Sequence, residues 1–180
     1  MKKNPIRYEI IEDPYGKIPV LVGDKTLSTK GFQVQFSPPN ESSWVGNFAR
    51  GISDSKLDAV YELSSPIFLI IAGGTAYIVN TEKKEILNEF GYGYENHVRT
   101  EEGGLVLADF TRITMINLDG TFWNSERISF DGIKDLKIQG DVVAGLSYYP
   151  PDKKWIPFSY NLKTKELKDG SYKRNKGNEG

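Results

Sequence analysis

The stretch GLVLA at residues 104–108 returns as GDVVA at residues 140–144, and LIIA at residues 69–72 lies another 36 residues upstream. Each of the three stretches is apolar and ends in an alanine, and the alanines are 36 residues apart. Self-similarity at a fixed period of a few tens of residues is typical of repeat architectures. The sequence therefore predicts three related structural units in one phase.

The segments that follow each alanine also keep the same order. A turn leads into a second apolar stretch that ends in asparagine, and a polar turn then precedes a new strand. The second stretches are residues 76–80, 113–117 and 156–161. Asparagine and Asp-Gly suit chain reversals because they accept positive φ and bond their own backbone. We therefore expect antiparallel hairpins in units that begin near Ile67, Gly104 and Gly140.

The spacers between these hairpins have room for a fourth strand in each unit. Residues 95–99 and 135–138 alternate polar and apolar side chains, as a half-exposed strand does. Four short strands repeated every 36 residues come close to a propeller blade, whose usual period is about 40 to 45 residues. The fold class we predict is all-β, built of antiparallel hairpin repeats of about 36 residues, either β-propeller-like or a rolled sheet or sandwich.

The rest of the chain is less regular. At 180 residues the length suits one domain, which we place at residues 1–172. Its first part, residues 1–66, carries irregular strands at 20–22 and 32–36, and the repeats occupy residues 67–167. Residues 53–63 fit a helix or a strand about equally well. Residues 173–180 are polar without periodicity and predict a flexible tail.

Charge and composition exclude several classes of function. Lysine plus arginine number 23 and aspartate plus glutamate 24, which leaves a net charge of −1 and no general attraction for nucleic acid or an anionic membrane. Cysteine is absent and histidine occurs once, so neither a thiol nucleophile nor a zinc site with several His or Cys ligands is available. The sequence predicts no metal site and no cofactor. The N-terminal residues lack the apolar run of a secretory signal, and we expect a cytoplasmic protein.

No motif of a known catalytic class is complete. The phosphate-binding loop, the nucleophile elbow and the zinc-binding helix motif are absent, so we predict no catalytic residue. Paired carboxylates such as Glu101 and Glu102, or Asp131 and Asp135, suit glycosidase chemistry only if they face each other across a cleft. That condition leaves an Asp/Glu-dependent hydrolase or a carbohydrate-binding domain as the alternative function.

Two segments carry more aromatic and polar groups than strand packing needs. One is the glycine-flanked segment with Tyr92, Tyr94, Glu95, Asn96 and His97. Tyrosine offers a large contact area at low rotamer entropy, which favours recognition. The sequence predicts that this segment contacts another protein.

The second segment lengthens the hairpin of the third unit by about eight residues. It runs from Tyr148 and Tyr149 through two prolines to Trp155 and predicts a protruding loop. Connections on a rigid scaffold commonly carry function. We expect both segments to lie on one rim and to form a protein-binding face.

Three stretches resemble a family of uncharacterised bacterial β-rich proteins. They are residues 43–48 (SWVGNF), residues 71–79 (IAGGTAYIV) and residues 129–146, which begin SFDGIKDL. The shared motifs are turns and strand ends, and the resemblance brings no catalytic residue. Small bacterial proteins of this kind are often immunity proteins that neutralise a toxin. The resemblance therefore implies a non-enzymatic protein-binding module whose partner is a toxin.

Overall fold

The structure is a computed structural model that describes residues 5–12, 20–22, 31–39, 41–51 and 55–176. These residues form sixteen strands and one short helix. The strands are β1 (Arg7–Ile10), β2 (Val20–Val22), β3 (Phe32–Ser37), β4 (Trp44–Phe48), β5 (Ala59–Ser64), β6 (Ile67–Ala72), β7 (Thr75–Asn80), β8 (Glu85–Phe90), β9 (Asn96–Arg99), β10 (Leu105–Ala108), β11 (Ile113–Ile116), β12 (Phe122–Asn124), β13 (Ile133–Gln139), β14 (Val142–Tyr149), β15 (Lys154–Asn161) and β16 (Glu166–Asp169). The helix is α1 (Ser171–Lys176).

The strands form four sheets of four strands each. Three sheets run in chain order, β5 to β8, β9 to β12 and β13 to β16, and every pair of neighbours within them is antiparallel. This is the meander of a propeller blade. The remaining sheet has the order β1-β3-β4-β2, with β2 parallel to β4. The all-β, propeller-like class and the repeated hairpins predicted from sequence are confirmed.

The predicted units are shifted in phase relative to the sheets. The strand at residues 95–99 was assigned to the end of one unit, but β9 pairs with β10 and so begins the next sheet. The turn between them closes through a bond from the Thr100 amide to the Gly104 carbonyl at 2.9 Å. In the same way β5 begins the sheet that contains Ile67, and its presence resolves residues 59–63 as strand rather than helix. Residues 53 and 54, the start of that segment, lie outside the described residues.

The chain divides into two compact units, Met1–Gly93 and Tyr94–Gly180. In the first unit the two sheets share one aromatic core. The ring centroids of Phe36 and Phe68, one from each sheet, are 5.5 Å apart. The buried indole of Trp44 donates to the Thr81 carbonyl at 3.0 Å, which satisfies the polar end of a side chain buried for its apolar area.

The second unit has its own core between its two sheets. Fully buried Val106, Ala108 and Ile113 from one sheet pack with Val143 and Phe158 from the other. Ala108 and Val143 are both 0% exposed, but Val142 is 38% exposed. The apolar run before the repeated alanine is therefore buried throughout at residues 105–108 and only in part at residues 142–144.

Helix α1 occupies part of the segment for which the sequence predicted a flexible tail. Its first residue, Ser171, is buried and held by polar contacts to two other serines. The Ser171 amide donates to Ser147 Oγ at 2.9 Å, and the Ser171 hydroxyl lies 3.4 Å from Ser129 Oγ. Residues 177–180 lie outside the described residues. Within the described part of the chain, no helix has the length and hydrophobicity needed to span a membrane.

Candidate protein-contact site

The predicted loop from Tyr148 to Trp155 is an ordered hairpin in the structure. β14 and β15 stay paired along their whole length, from Val142 opposite Asn161 to Tyr149 opposite Lys154. The reversal itself is a tight turn, closed by the Lys153 amide on the Pro150 carbonyl at 3.1 Å. The extra residues therefore lengthen the two strands, and the aromatic side chains are fixed by strand geometry rather than carried on a loop.

Tyr148 and Trp155 face each other across this hairpin and form what we call the hairpin aromatic pair. They are directly opposite in register, and their ring centroids are 5.1 Å apart. Trp155 remains 39% exposed. Cross-strand aromatic pairs are a stable way to hold large side chains on a sheet surface. Tyr148 is half-buried, so the pair is a partly exposed apolar surface with a defined position.

Two residues that precede β14 in the chain, Gly132 and Lys134, pack against Trp155. A Cβ placed on Gly132 would lie 3.3 Å from Cη2 of Trp155, so the indole lies directly against this glycine. Lys134 Nζ lies 4.1 Å from the centroid of the Trp155 ring, a cation–π contact. Neither Gly132 nor Lys134 can be assigned to the site from the sequence, because neither is near the hairpin in the chain.

A second aromatic group forms around Tyr149. Successive strand residues point to opposite faces, so Tyr149 packs away from the hairpin aromatic pair. Its ring lies 5.8 Å from that of Phe130, which in turn lies 5.2 Å from Tyr172 of α1. The Arg127 guanidinium covers the Tyr172 ring at 4.8 Å and donates to the Phe130 carbonyl at 2.9 Å. This group fastens α1 to the sheet and gives Tyr149 a structural role.

The chain segment that packs under the hairpin aromatic pair is joined to β9. Asn96 Nδ2 donates to the Ile133 carbonyl at 2.9 Å, and the Tyr148 amide donates to the Gly132 carbonyl at 2.9 Å. The structure therefore brings Asn96 close to the chain segment under the hairpin aromatic pair. Its amide is committed to the backbone, so Asn96 is a positioning residue for this end of the second unit.

Tyr94 does not have the exposed position expected from sequence. Its side chain is 2% exposed, and its hydroxyl lies 2.8 Å from Thr114 Oγ1, which donates to Asn124 Oδ1 at 2.7 Å. Burial raises the pKa of Tyr94 to about 12. The chain is irregular from residue 91 to 95, so the two-residue spacing from Tyr92 does not place both rings on one surface. Tyr94 is a core residue and cannot anchor a partner.

The other predicted contact residues are exposed. Tyr92 is 75% exposed and belongs to the first unit, while Glu95 and His97 are exposed in the second. His97 lies on the edge strand β9 opposite Leu107, and partial burial lowers its pKa. Exposure is compatible with contact, but it does not assign these three residues to a site.

Among the residues that the structure describes, no group of three or more His, Cys, Asp or Glu side chains is arranged to hold a metal ion.

No family model matches the chain, and no curated protein matches it. Among solved structures, the WD40 domain of Pan2 from Neurospora crassa is similar at 11% sequence identity and a TM-score of 0.42. The match covers 77% of this chain and 46% of that one, so the chain spans about half the length of the matched structure.

Proposed function

We propose that this chain is a non-enzymatic protein-binding module and that the hairpin aromatic pair is the centre of the contact. The observation that carries the proposal is the exposed, supported indole of Trp155. Trp and Tyr dominate the energetics of protein interfaces because they desolvate a large area at low rotamer cost. Trp155 and Tyr148 offer such an area.

The rigidity of the pair favours binding over simple surface packing. Trp155 is held between Tyr148, Gly132 and Lys134, and the strands under it are paired to the last residue before the turn. A contact that is ordered before association loses less conformational entropy on binding. Rigid aromatic anchors surrounded by polar groups are the usual form of an interface hot spot.

Lys134 also indicates the chemistry of the neighbouring contact. Its ammonium occupies one side of the indole, and Lys153 and Lys154 are exposed at the turn. Lys154 and Asp152 are separated by 3.8 Å and largely solvated, which makes their ion pair weak. A partner with an apolar centre and carboxylates at its rim would fit this surface.

A comparison of two single variants tests the proposal. Trp155→Ala removes the anchor, and Leu118→Ala serves as a control because Leu118 is 40% exposed and lies on the β11–β12 turn. Proteins captured from the native cell by the wild type are purified, and their affinity for each variant is measured. Trp155→Ala should weaken binding about 30-fold, equivalent to about 2 kcal/mol. A partner that binds both variants like the wild type would contradict the site.

We extend the proposal to an immunity role in which the partner is a toxin that the chain neutralises by direct binding. Support for this narrower form comes from the family resemblance of the sequence. A toxin gene next to the gene for this chain would identify the partner to test. Co-expression of the chain should then rescue growth, and co-expression of Trp155→Ala should not. Equal rescue by both proteins would mean that immunity does not depend on the hairpin aromatic pair.

A further inference from the structure

A second feature of the Tyr94–Gly180 unit lies at the opposite end of the sheet from the hairpin aromatic pair. It is a cleft of about 390 Å³ between the turns of the two sheets. One side is formed by the β9–β10 turn with Glu101 and Glu102, and the other by the β13–β14 and β15–β16 turns with Asp141 and Lys163. β14 separates Asp141 from the far turn by eight residues, roughly 25 Å. The two features are therefore independent.

The floor of the cleft is apolar. Met115 and Trp123 are directly opposite in the β11–β12 ladder, and both line the cleft together with Leu162. Trp123 is half-buried and packs on Tyr160 at 6.0 Å between ring centroids. A volume of a few hundred Å³ with an aromatic floor falls within the range of small-molecule sites.

The walls offer both kinds of hydrogen-bonding group. Glu101, Glu102 and Asp141 carry acceptor oxygens, and Lys163 Nζ donates to Asp141 Oδ2 at 2.8 Å. The nearby charge of Glu102 also favours the protonated form of Lys163, whose pKa is raised chiefly by its bond to Asp141. The rim thus carries both donors and acceptors.

Thr100 also lines the cleft, but its Oγ1 is buried from solvent, without a hydrogen-bond partner among the residues that the structure describes. The polar groups that the cleft offers to a ligand are therefore the carboxylates and Lys163.

Charge decides between the classes of ligand. Three carboxylates around one ammonium repel an anion such as phosphate. An organic cation would compete with two ammonium groups already present, Lys163 on Asp141 and Lys165 Nζ, which lies 4.9 Å from the centroid of the Trp123 ring. A metal ion would require the carboxylates to converge, and the described residues hold no such group. A neutral ligand avoids all three conflicts.

We propose that this cleft binds a neutral carbohydrate. Each sugar hydroxyl donates and accepts at once, which matches a rim of carboxylates and an ammonium. The apolar face of a sugar ring matches the floor of Trp123, Met115 and Leu162. The proposal concerns binding only and stands apart from the protein contact at the hairpin aromatic pair.

Titration of ¹⁵N-labelled protein tests the proposal. The probes are glucose, galactose, mannose and N-acetylglucosamine with their β-linked disaccharides, each up to 50 mM, and glycerol and spermidine serve as controls. We expect saturable shifts with at least one sugar, confined to the amides of Glu101, Glu102 and Gly140 and the indole of Trp123. Glu101→Gln/Glu102→Gln should weaken binding at least tenfold, and Trp155→Ala should leave it unchanged.

Three results would overturn the carbohydrate site. They are the absence of shifts with every sugar, equal shifts with glycerol, which indicate an adventitious additive only, and saturation by spermidine alone, which assigns the cleft to organic cations. Trp155→Ala distinguishes the two proposals, because it should lose protein binding and keep sugar binding.

Discussion

Asn96 Nδ2 donates a hydrogen bond to the Ile133 carbonyl oxygen at 2.9 Å, and this bond joins the edge strand of one sheet to the first residue of the next. Ile133 directly follows Gly132, on which Trp155 packs. The position of the hairpin aromatic pair therefore depends on a residue 59 positions away in the chain, in the segment that the sequence singled out for its polar side chains.

Asn96→Ala should destabilise the protein by about 1 kcal/mol, because the Ile133 carbonyl loses its side-chain donor. Urea unfolding at equilibrium measures the change. Asn88→Ala is the control, since Asn88 is exposed on the edge strand β8. Equal free energies of unfolding for Asn96→Ala and the wild type would show that the bond does not contribute to stability.

Gly132→Ala should cost about 1–3 kcal/mol of stability. The φ of Gly132 is +125°, a backbone conformation that residues with a Cβ rarely adopt. The new Cβ would also lie 3.3 Å from Trp155 Cη2. Gly140→Ala is a matched control, because Gly140 has a φ of +54° with no atom within 4 Å of its Cβ position. Gly140→Ala should therefore be the less costly of the two. A reversed order would contradict the close packing of Trp155.

Ala108→Glu should destabilise the protein by several kcal/mol or prevent folding. Ala108 is 0% exposed between Ile113 and Asn96 of the neighbouring strands, so the variant would bury an unpaired carboxylate. Leu87→Glu provides the control at a strand position that is 41% exposed. Thermal unfolding of the two variants distinguishes them. Wild-type stability of Ala108→Glu would contradict the packing of β10.

The repeat and the hairpins could be predicted because they depend on local order in the chain. Apolar runs, asparagine turns and the spacing of 36 residues are all visible within one unit. The phase of the sheets could not be predicted in the same way. Whether the strand at residues 95–99 pairs with β8 or β10 depends on contacts across the sheet, and its alternating pattern is the same in both cases.

Some residues of the candidate site could likewise be predicted from the sequence, and others could not. Trp155 and Tyr148 could be identified because an insertion distinguishes the third unit from the others. Gly132 and Lys134 could not, since Lys134 reaches the hairpin through the pairing of β13 with β14 and Gly132 through the bond that its carbonyl accepts from the Tyr148 amide. The sequence does not place Tyr94, because residues 91–95 have no regular alternation and the contact of its hydroxyl with Thr114 on β11 joins residues 20 positions apart.

Tyr94→Phe should cost about 1 kcal/mol at neutral pH, since the bond to Thr114 is lost while the ring still fills the core. Tyr92→Phe should have no effect because Tyr92 is 75% exposed. The cost should shrink at high pH. The unfolded phenol ionises near 10 and the folded one near 12, so ionisation of Tyr94 favours the unfolded wild type between these values. Parallel stability curves from pH 9 to 11 would contradict the raised pKa.

His97 should make the stability of the protein depend on pH at the acidic end, where the protein should lose stability as the pH falls. Partial burial lowers its pKa in the folded protein below the ordinary value of 6.5, so the unfolded chain binds the proton first as the pH falls. Protonation of His97 therefore favours unfolding, and the wild type should lose stability relative to His97→Gln as the pH falls below 6.5. Above pH 7.5 the difference in unfolding free energy between the wild type and His97→Gln should be constant, because the imidazole is neutral in both the folded and the unfolded state.

Urea unfolding at pH 7.5, 6.5 and 5.5 measures this difference in free energy. The effect of protonating the carboxylates cancels, because both proteins share them. A wild type that gains stability over His97→Gln at pH 5.5 would mean that a carboxylate, rather than burial, dominates the surroundings of the imidazole.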